Sequence, residues 1–357
     1  MKTIQVKEKP DFTGEPIYIG IDVHKKQWNV SIMSSFMEHK TFTQPPDANV
    51  LSNYLKVHFP NASYFSTYEA GFCGFWIHEA LKKEGIENTV VNPCDVPTTN
   101  KEKKQKRDGV DSRKLCRSLR ERALTGIYVP TQEQLEDRGM MRLRKKLVSD
   151  IGRCKNRIKG MLNFYGIKLP VEYDSDYWSK AFIAWLVGLE LTQATGTLSL
   201  RILVEELKAI QTLKKQVERH LIQLARQKYA TQVELLRSIP GIGSIAALTF
   251  ITELGDMKRF KRLDELCSYV GLVPNVHSSG DTEHVGHLTM RRNPYVRPIL
   301  IQCAWVAASK DPVLMKAHQD WCKKMTANKA IIRVARKLLN RIRFVSMNEK
   351  KYELMNV

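Results

Sequence analysis

Ile17-Tyr-Ile-Gly-Ile-Asp-Val23 decides the reading of the first third of this chain. It is a short apolar run closing on a carboxylate, the pattern of a buried strand with an acid at its end. Outward from it, Trp28 to Met33 alternates weakly and predicts a second strand, and Lys40 to Thr43 predicts a third. Asp47 opens a helical stretch in which Val50, Leu51, Tyr54 and Leu55 recur at helical spacing. Ser63 to Tyr68 is again rich in strand formers and also closes on a carboxylate, Glu69. Phe75 to Lys83 reads as a helix stopped by Gly85, and Thr89-Val-Val91 as a last strand.

The resulting order, three strands, a helix, a strand, a helix, a strand and then a further helix, is that of an α/β RNase H-like fold. We assign this first domain to residues 17–130. Lys101 to Arg122 is dense in charge, and Leu115, Leu119 and Leu124 give it an apolar stripe. Thr131 to Tyr165 and Leu200 to Tyr229 keep helical periodicity with little Gly or Pro. Two long amphipathic helices with charged outer faces predict an antiparallel coiled-coil linker, residues 131–231. The remainder, 232–345, reads as a mainly α domain. In it, Ile239-Pro-Gly-Ile-Gly243 joins two helical stretches, with further helices at Arg262 to Val270, Pro294 to Ser309 and Asn328 to Phe344.

Composition narrows the partner. The 357 residues carry 57 Lys and Arg against 37 Asp and Glu, a formal charge of +20. A field of that sign favours a polyanion, either nucleic acid or an acidic membrane surface. A basic structural protein is the plainer reading of charge alone. No apolar run approaches the roughly 20 residues of a membrane span; Ala181 to Leu191 is broken by Gly188 and Glu190. The first sixteen residues lack the apolar core of a signal peptide. The 7 cysteines are scattered without a Cys-x-x-Cys pair, so no zinc knuckle is indicated and a reducing cytoplasm is expected.

Four features could carry chemistry. Asp22, Glu69, Asp108 and Asp111 fall at two strand ends and within Lys106-Arg-Asp-Gly-Val-Asp111. Taken singly, each reads as a turn or surface acid. Converging, they would hold two Mg²⁺ ions that clamp a phosphodiester in line. Gly241 and Gly243 mark a helix-hairpin-helix turn that could offer backbone N–H groups to a phosphate, or a plain helix connection. Gly271 to Gly280 reads as an exposed loop bearing Ser278 and Ser279, followed by His284, His287, Arg291, Arg292 and Arg297. A serine there could attack phosphorus while arginines neutralise the transferring group, although ordinary loop serines look the same. Arg336 and Lys337 lie on a late basic helix with Lys329, Arg333, Arg341 and Arg343, and with Lys106 and Arg107 are candidates for phosphate contact.

These segments in their order resemble one family. Tyr18-Ile-Gly-Ile-Asp-Val-His-Lys25, Tyr68-Glu-Ala-Gly71, Val91-Asn-Pro93 and Lys106-Arg-Asp-Gly-Val-Asp-Ser-Arg-Lys-Leu115 stand in the first half. Ile239-Pro-Gly-Ile-Gly243, Tyr269-Val-Gly-Leu-Val-Pro274, Ser279-Gly280 and Val334-Ala-Arg-Lys-Leu338 stand in the second. The chain resembles transposases of the insertion-sequence-110 family, DEDD recombinases with a serine-bearing second domain. The resemblance implies a RuvC-like domain whose metal-binding tetrad falls on Asp22, Glu69, Asp108 and Asp111. It implies a nucleophile at Ser279, with Ser278 the nearest rival, and a phosphoserine–DNA intermediate. It further implies donor and target DNA as substrates, a structured bridge RNA as guide, and a homo-oligomer, dimer or tetramer, in the nucleoid of a prokaryote. The chain departs from the family pattern in Lys-Arg-Asp before the third acid, and in Arg292 where the family has glycine. Two other readings stay open: a hydrolytic Mg²⁺-dependent nuclease, and a nucleic-acid-binding protein without catalysis.

Overall fold

The computed structural model describes residues 11–98, 108–173, 177–279 and 282–354, with the side chains of 108, 276–279 and 282–285 outside the described set. These residues divide into two compact units, one ending at Val129 and the other beginning at Pro130.

The first unit is built on a five-stranded sheet. Its strands are β1 (Pro16–Val23), β2 (Trp28–Met33), β3 (Glu38–Gln44), β4 (Ser63–Glu69) and β5 (Glu87–Val91), in the order β3-β2-β1-β4-β5. β2 runs antiparallel to both β1 and β3, whereas β1 pairs parallel with β4 and β4 with β5, so β2 alone runs against the rest. The helices α1 (Ala48–His58), α2 (Trp76–Lys83) and α3 (Asp108–Arg120) follow β3, β4 and β5. Asp47 caps α1 by accepting from the Asn49 N–H, which is the start signal visible in the sequence. Ile17, Ile19 and Ile21 point to one face and bury against Leu51 and Leu55 of α1 and Ile77 and Leu81 of α2. The opposite face carries small and polar residues, Gly20 and Ser31 among them, and receives α3. The element order read from the sequence is thus the observed one, with β3 and β5 each longer than their predicted runs.

The second unit is mostly helical. Its long helices are α4 (Gln132–Phe164) and α6 (Ala194–Gln227), with α5 (Lys180–Gly188) between them in sequence. Arg157 pairs with Glu206 at 2.5 Å and Arg144 with Glu218 at 2.8 Å, and Asp137 meets Lys228. As the α4 number falls the α6 number rises, so the two helices are antiparallel. Cys154, Ile158 and Leu162 of α4 bury with Phe182 and Leu186 of α5 and Leu200, Val204 and Leu207 of α6. At their other end, Met141, Leu221 and Ala225 enter a second core made with the helices that follow. Those are α7 (Ala230–Arg237), α8 (Ser244–Leu254), α9 (Leu263–Val270), α10 (Val296–Lys310), α11 (Pro312–Cys322) and α12 (Ala327–Asn348). The long helices and the residues after 231 therefore share one core.

The segment read as a loop, Gly271 to Gly280, instead contains a strand. β6 (Pro274–Ser279) pairs antiparallel with β7 (Thr282–Leu288), with Ser279 opposite Thr282, Ser278 opposite Glu283 and His277 opposite His284. This ribbon is the whole of a two-stranded sheet. Among the described residues no helix is long and apolar enough to cross a membrane.

Candidate active site

Asp22 and Glu69 are brought together by strand register. The parallel pairing of β1 and β4 runs through Gly20↔Thr67 and Ile21↔Tyr68, so Asp22 and Glu69 are the next residues on adjacent strands. Side chains alternate along a strand, which puts both acids on the face of Gly20. That is the face α3 covers. α3 can approach because position 20 has no side chain: a Cβ there would lie 2.1 Å from the Ser112 carbonyl oxygen and 2.4 Å from the Cys116 nitrogen. Two further contacts fix the helix. The Ser31 and Ser112 hydroxyls share a hydrogen bond of 2.9 Å, and the Cys116 thiol donates to the Tyr18 carbonyl at 3.1 Å. Burial pushes the Cys116 thiol up to about 12, so it stays a neutral donor.

α3 in turn places Asp111 and Lys114. The Lys114 Nζ is 3.4 Å from Asp111 Oδ1 and 3.8 Å from Glu69 Oε1. One ammonium thus spans a carboxylate from the helix and one from the sheet. Asp22 Oδ2 is 3.1 Å from His24 Nε2. Asp108 begins α3, but its side chain lies outside the described residues, as do Lys106 and Arg107 entirely. Among the described residues no three His, Cys, Asp or Glu side chains gather closely enough to hold a metal ion. The donors that do meet, Glu69 and Asp111 about Lys114, are hard carboxylate oxygens, the donor type that suits a divalent cation.

In the second unit the expected phosphate-binding residues separate into two groups. Gly241 has φ +90° and is pressed against α10: a Cβ there would lie 2.5 Å from the Cys303 carbonyl oxygen. Its role is helix packing. Gly243 faces open space and caps α8 without a side-chain hydrogen bond. With Ser244, Ile245 and Ala246 it lines a cavity of about 680 Å³ whose wall also includes Arg226 and Arg237. The first N–H groups of an eleven-residue helix beside two guanidinium groups form an anion-favouring wall. Neither arginine stands out in the sequence, where each is one more cation on a helix.

Arg297, expected at the nucleic-acid surface, is buried instead. Its Nη1 donates to the Gly271 carbonyl at 2.9 Å and the Thr289 carbonyl at 2.8 Å, so it braces the ribbon's base rather than facing solvent. Burial, with Arg292 nearby, lowers its pKa. Arg291 and Arg292 remain exposed. Arg292 does not need the glycine conformation, since it is absent from the residues with positive φ. The strain falls on Gly271 (φ +85°), where a Cβ would meet the Arg292 Cβ at 2.5 Å. The turn holding these arginines is pinned by Asn293, whose Oδ1 accepts from the Tyr295 and Val296 N–H groups. Its Nδ2 donates to Glu253 at 3.2 Å. Glu253 is 1% exposed and takes a two-pronged contact from Arg142 at 2.7 and 2.9 Å. That hydrogen bonding raises the Arg142 pKa. Glu253 could have been noticed as the lone acid near the end of an apolar helix.

Arg336 contacts Asp264, and the Lys337 ammonium lies 5.8 Å from the centroid of the Trp321 ring. Both are exposed on α12. Ser279 ends β6, and its side chain, like those of Ser278, His277 and His284, lies outside the described residues.

Comparison with known proteins bears on both halves. A DEDD transposase model of the IS110 kind matches residues 19–167. A second, described as Transposase IS116/IS110/IS902 family, matches residues 233–319. The y4rJ protein of Sinorhizobium fredii is 27% identical over 369 residues, covering 90% of each chain. The transposase for insertion sequence element IS1533 of Leptospira borgpetersenii is 27% identical, covering 68% of this chain and 70% of its own. The transposase for IS1111A of Coxiella burnetii is 27% identical over 62% of this chain and 59% of its own. The first match contains Asp22, Glu69 and Asp111. The second contains Gly243, the ribbon and the arginine turn, and with models of one family matching both stretches the chain belongs to the IS110 family of transposases.

Proposed function

We propose that this transposase cuts and rejoins DNA strands through a serine-linked intermediate, with the carboxylates of the first unit and the ribbon of the second supplying the two halves of the chemistry. The observation that supports this reading is that Asp22 and Glu69 end adjacent strands while α3, crossing Gly20, brings Asp111 within reach of the same lysine as Glu69, on a sheet whose strand order, with β2 alone reversed, is that of an RNase H-like, RuvC-like domain. Asp22, Glu69, Asp111 and Asp108 would hold divalent metal, Mg²⁺ and two ions in the full tetrad. When bound, the metal would supply charge neutralisation at the phosphodiester. Ser279 Oγ attacks phosphorus, giving up its proton, and the bond to a sugar oxygen breaks, that oxygen leaving as a hydroxyl. A hydroxyl of another strand then attacks the phosphoserine, releases Ser279 and forms the new phosphodiester. The bond energy is kept in the ester, so rejoining needs no nucleotide cofactor.

Nucleic acid would be held at the helix-hairpin-helix turn by Gly243 and the helix start, with Arg226 and Arg237 beside it, and at Arg291, Arg292, Arg336, Lys337, Lys106 and Arg107. The long helices α4 and α6 read as the coiled-coil link of the family. By the same likeness the target would be chosen by a bridge RNA pairing with donor and target DNA, and the enzyme would work as a dimer or tetramer at the nucleoid.

A linkage assay tests the reading. Labelled donor and target DNA, Mg²⁺ and the element's RNA are incubated with wild type, Ser279→Ala and Asp22→Asn. We expect a covalent protein–DNA adduct in wild type alone. Cutting by Ser279→Ala at the wild-type rate, without adduct in either protein, would make the enzyme a hydrolytic nuclease and remove the serine from the mechanism.

A further inference from the structure

The carboxylates of the first unit already hold a cation, and it belongs to the chain. Lys114 lies one turn along α3 from Asp111, and its ammonium reaches Asp111 at 3.4 Å and Glu69 at 3.8 Å. Its side chain is 12% exposed, against 34% for Glu69 and 36% for Asp111. The least exposed charge of the three is the lysine. A lysine on a basic helix ordinarily extends into water, because an exposed ion pair returns little for the lost hydration and side-chain freedom. Lys114 instead turns inward, between a helix carboxylate and a sheet carboxylate whose like charges it offsets. The neighbouring cation on α3 is engaged elsewhere, since Arg113 reaches Glu38 at 2.5 Å.

We propose that Lys114 is the resident counter-cation of this site. It holds Glu69 and Asp111 together in the metal-free chain, and a divalent cation binding those carboxylates must displace it. Lys114 therefore weakens metal affinity while keeping the site assembled without metal. This rests on the reading of Asp22, Glu69 and Asp111 as metal-binding. It assigns to this chain a positioning residue, which neither that reading nor the acidic residues themselves supply.

The test is a Mn²⁺ titration of the full chain, followed by electron paramagnetic resonance of the free ion, with thermal midpoints taken with and without Mn²⁺. The proteins are wild type, Lys114→Met, Lys114→Gln, Lys114→Arg and Asp22→Asn. Removing a cation in contact with two ligand carboxylates is expected to tighten Mn²⁺ binding by about tenfold or more in both uncharged variants. Without metal both should melt below wild type, and both should gain more than wild type when Mn²⁺ is added. Lys114→Arg keeps the charge and should stay within about threefold of wild type. If one uncharged variant fails to fold without metal, the other carries the comparison. Unchanged or weaker Mn²⁺ affinity in a folded uncharged variant overturns the proposal, provided that wild type binds Mn²⁺ and Asp22→Asn does not. Absence of Mn²⁺ binding in every protein overturns the proposal and the metal reading together.

Discussion

Gly20 shows how one missing side chain builds a site. A helix backbone passes where its Cβ would stand, and that close passage is what carries Asp111 and Lys114 over the ends of β1 and β4. Gly20→Ala sets a methyl against backbone atoms at 2.1 and 2.4 Å, which no rotamer change relieves. We expect a loss of about 3 kcal/mol from overpacking against a rigid wall, measured by urea denaturation. The strand-joining activity should fall further than stability alone predicts, because α3 must lift away from the sheet. Gly152 of α4 is the matched control, since nothing lies within 4 Å of its Cβ. Gly152→Ala should be neutral or stabilising by up to about 1 kcal/mol. Equal losses at both positions would mean that the added methyl itself, rather than the close approach of α3, explains the effect. The sequence displays Gly20 within the decisive run, but nothing local says that a helix ninety residues later will lie on it. The inward turn of Lys114 toward Glu69 was hidden for the same reason, its sheet partner lying far back along the chain.

Elements were legible where their signals are local. Asp47 at a helix start, Gly85 at a helix stop and Ile17, Ile19 and Ile21 alternating toward one face are all readable from neighbours in sequence. β6 and β7 were not, because polar residues interrupt every alternating face, Ser278 after Pro274 and Val276 and Glu283 and His287 on either side of Val285. Their pairing with each other defines them, and periodicity reports burial rather than pairing. α11 is absent from the sequence reading although Asp311-Pro312 is a helix-start signal, and Asp311 is more than a cap. It is fully buried, accepts from the Leu314 N–H at 2.9 Å and the Tyr352 hydroxyl at 2.8 Å, and pairs with Arg341 at 2.6 Å. It thereby ties the end of α10, the start of α11, α12 and the chain beyond it. Burial alone would raise its pKa, but these partners outweigh that and hold it below the usual aspartate value. The carboxylate is more acidic folded than unfolded, so its contribution is present in full above about pH 4. It is lost as pH falls through the depressed folded value. Asp311→Asn should cost about 3 kcal/mol at pH 7, having stranded Arg341. The deficit should shrink as pH is lowered below about 4. A deficit unchanged between about pH 7 and about pH 3 in denaturant titrations would show that the charge of Asp311 contributes nothing.

At the scale of the whole molecule the charge of +20 favours a polyanionic partner but does not say where it would bind. Much of the basic side chain inventory is engaged internally. Arg142 serves Glu253, Arg144 serves Glu218, Arg341 serves Asp311 and Arg297 serves two carbonyls. Counting lysines and arginines in the sequence overstates the binding surface for that reason, and it placed Arg297 on that surface when the fold buries it. The cations at the α8 cavity are of the other kind: Arg226 and Arg237 are exposed and line a wall that ends in the first N–H groups of a helix. The two kinds separate in the salt dependence of duplex DNA binding. Removing one cation that touches a phosphate lowers the slope of log affinity against log salt by about one unit. Arg226→Gln and Arg237→Gln should each lower that slope by about 1 and leave the melting temperature near wild type. Arg297→Gln should leave the slope unchanged and lower the melting temperature, because it uncouples Gly271 and Thr289 while leaving the cations of the proposed DNA-binding surface. Fluorescence anisotropy across a series of salt concentrations reads the slope, and thermal denaturation reads the melting temperature. A full unit of slope missing in Arg297→Gln would mean that its guanidinium leaves those carbonyls for a phosphate when DNA arrives, and that the ribbon it braces moves with it.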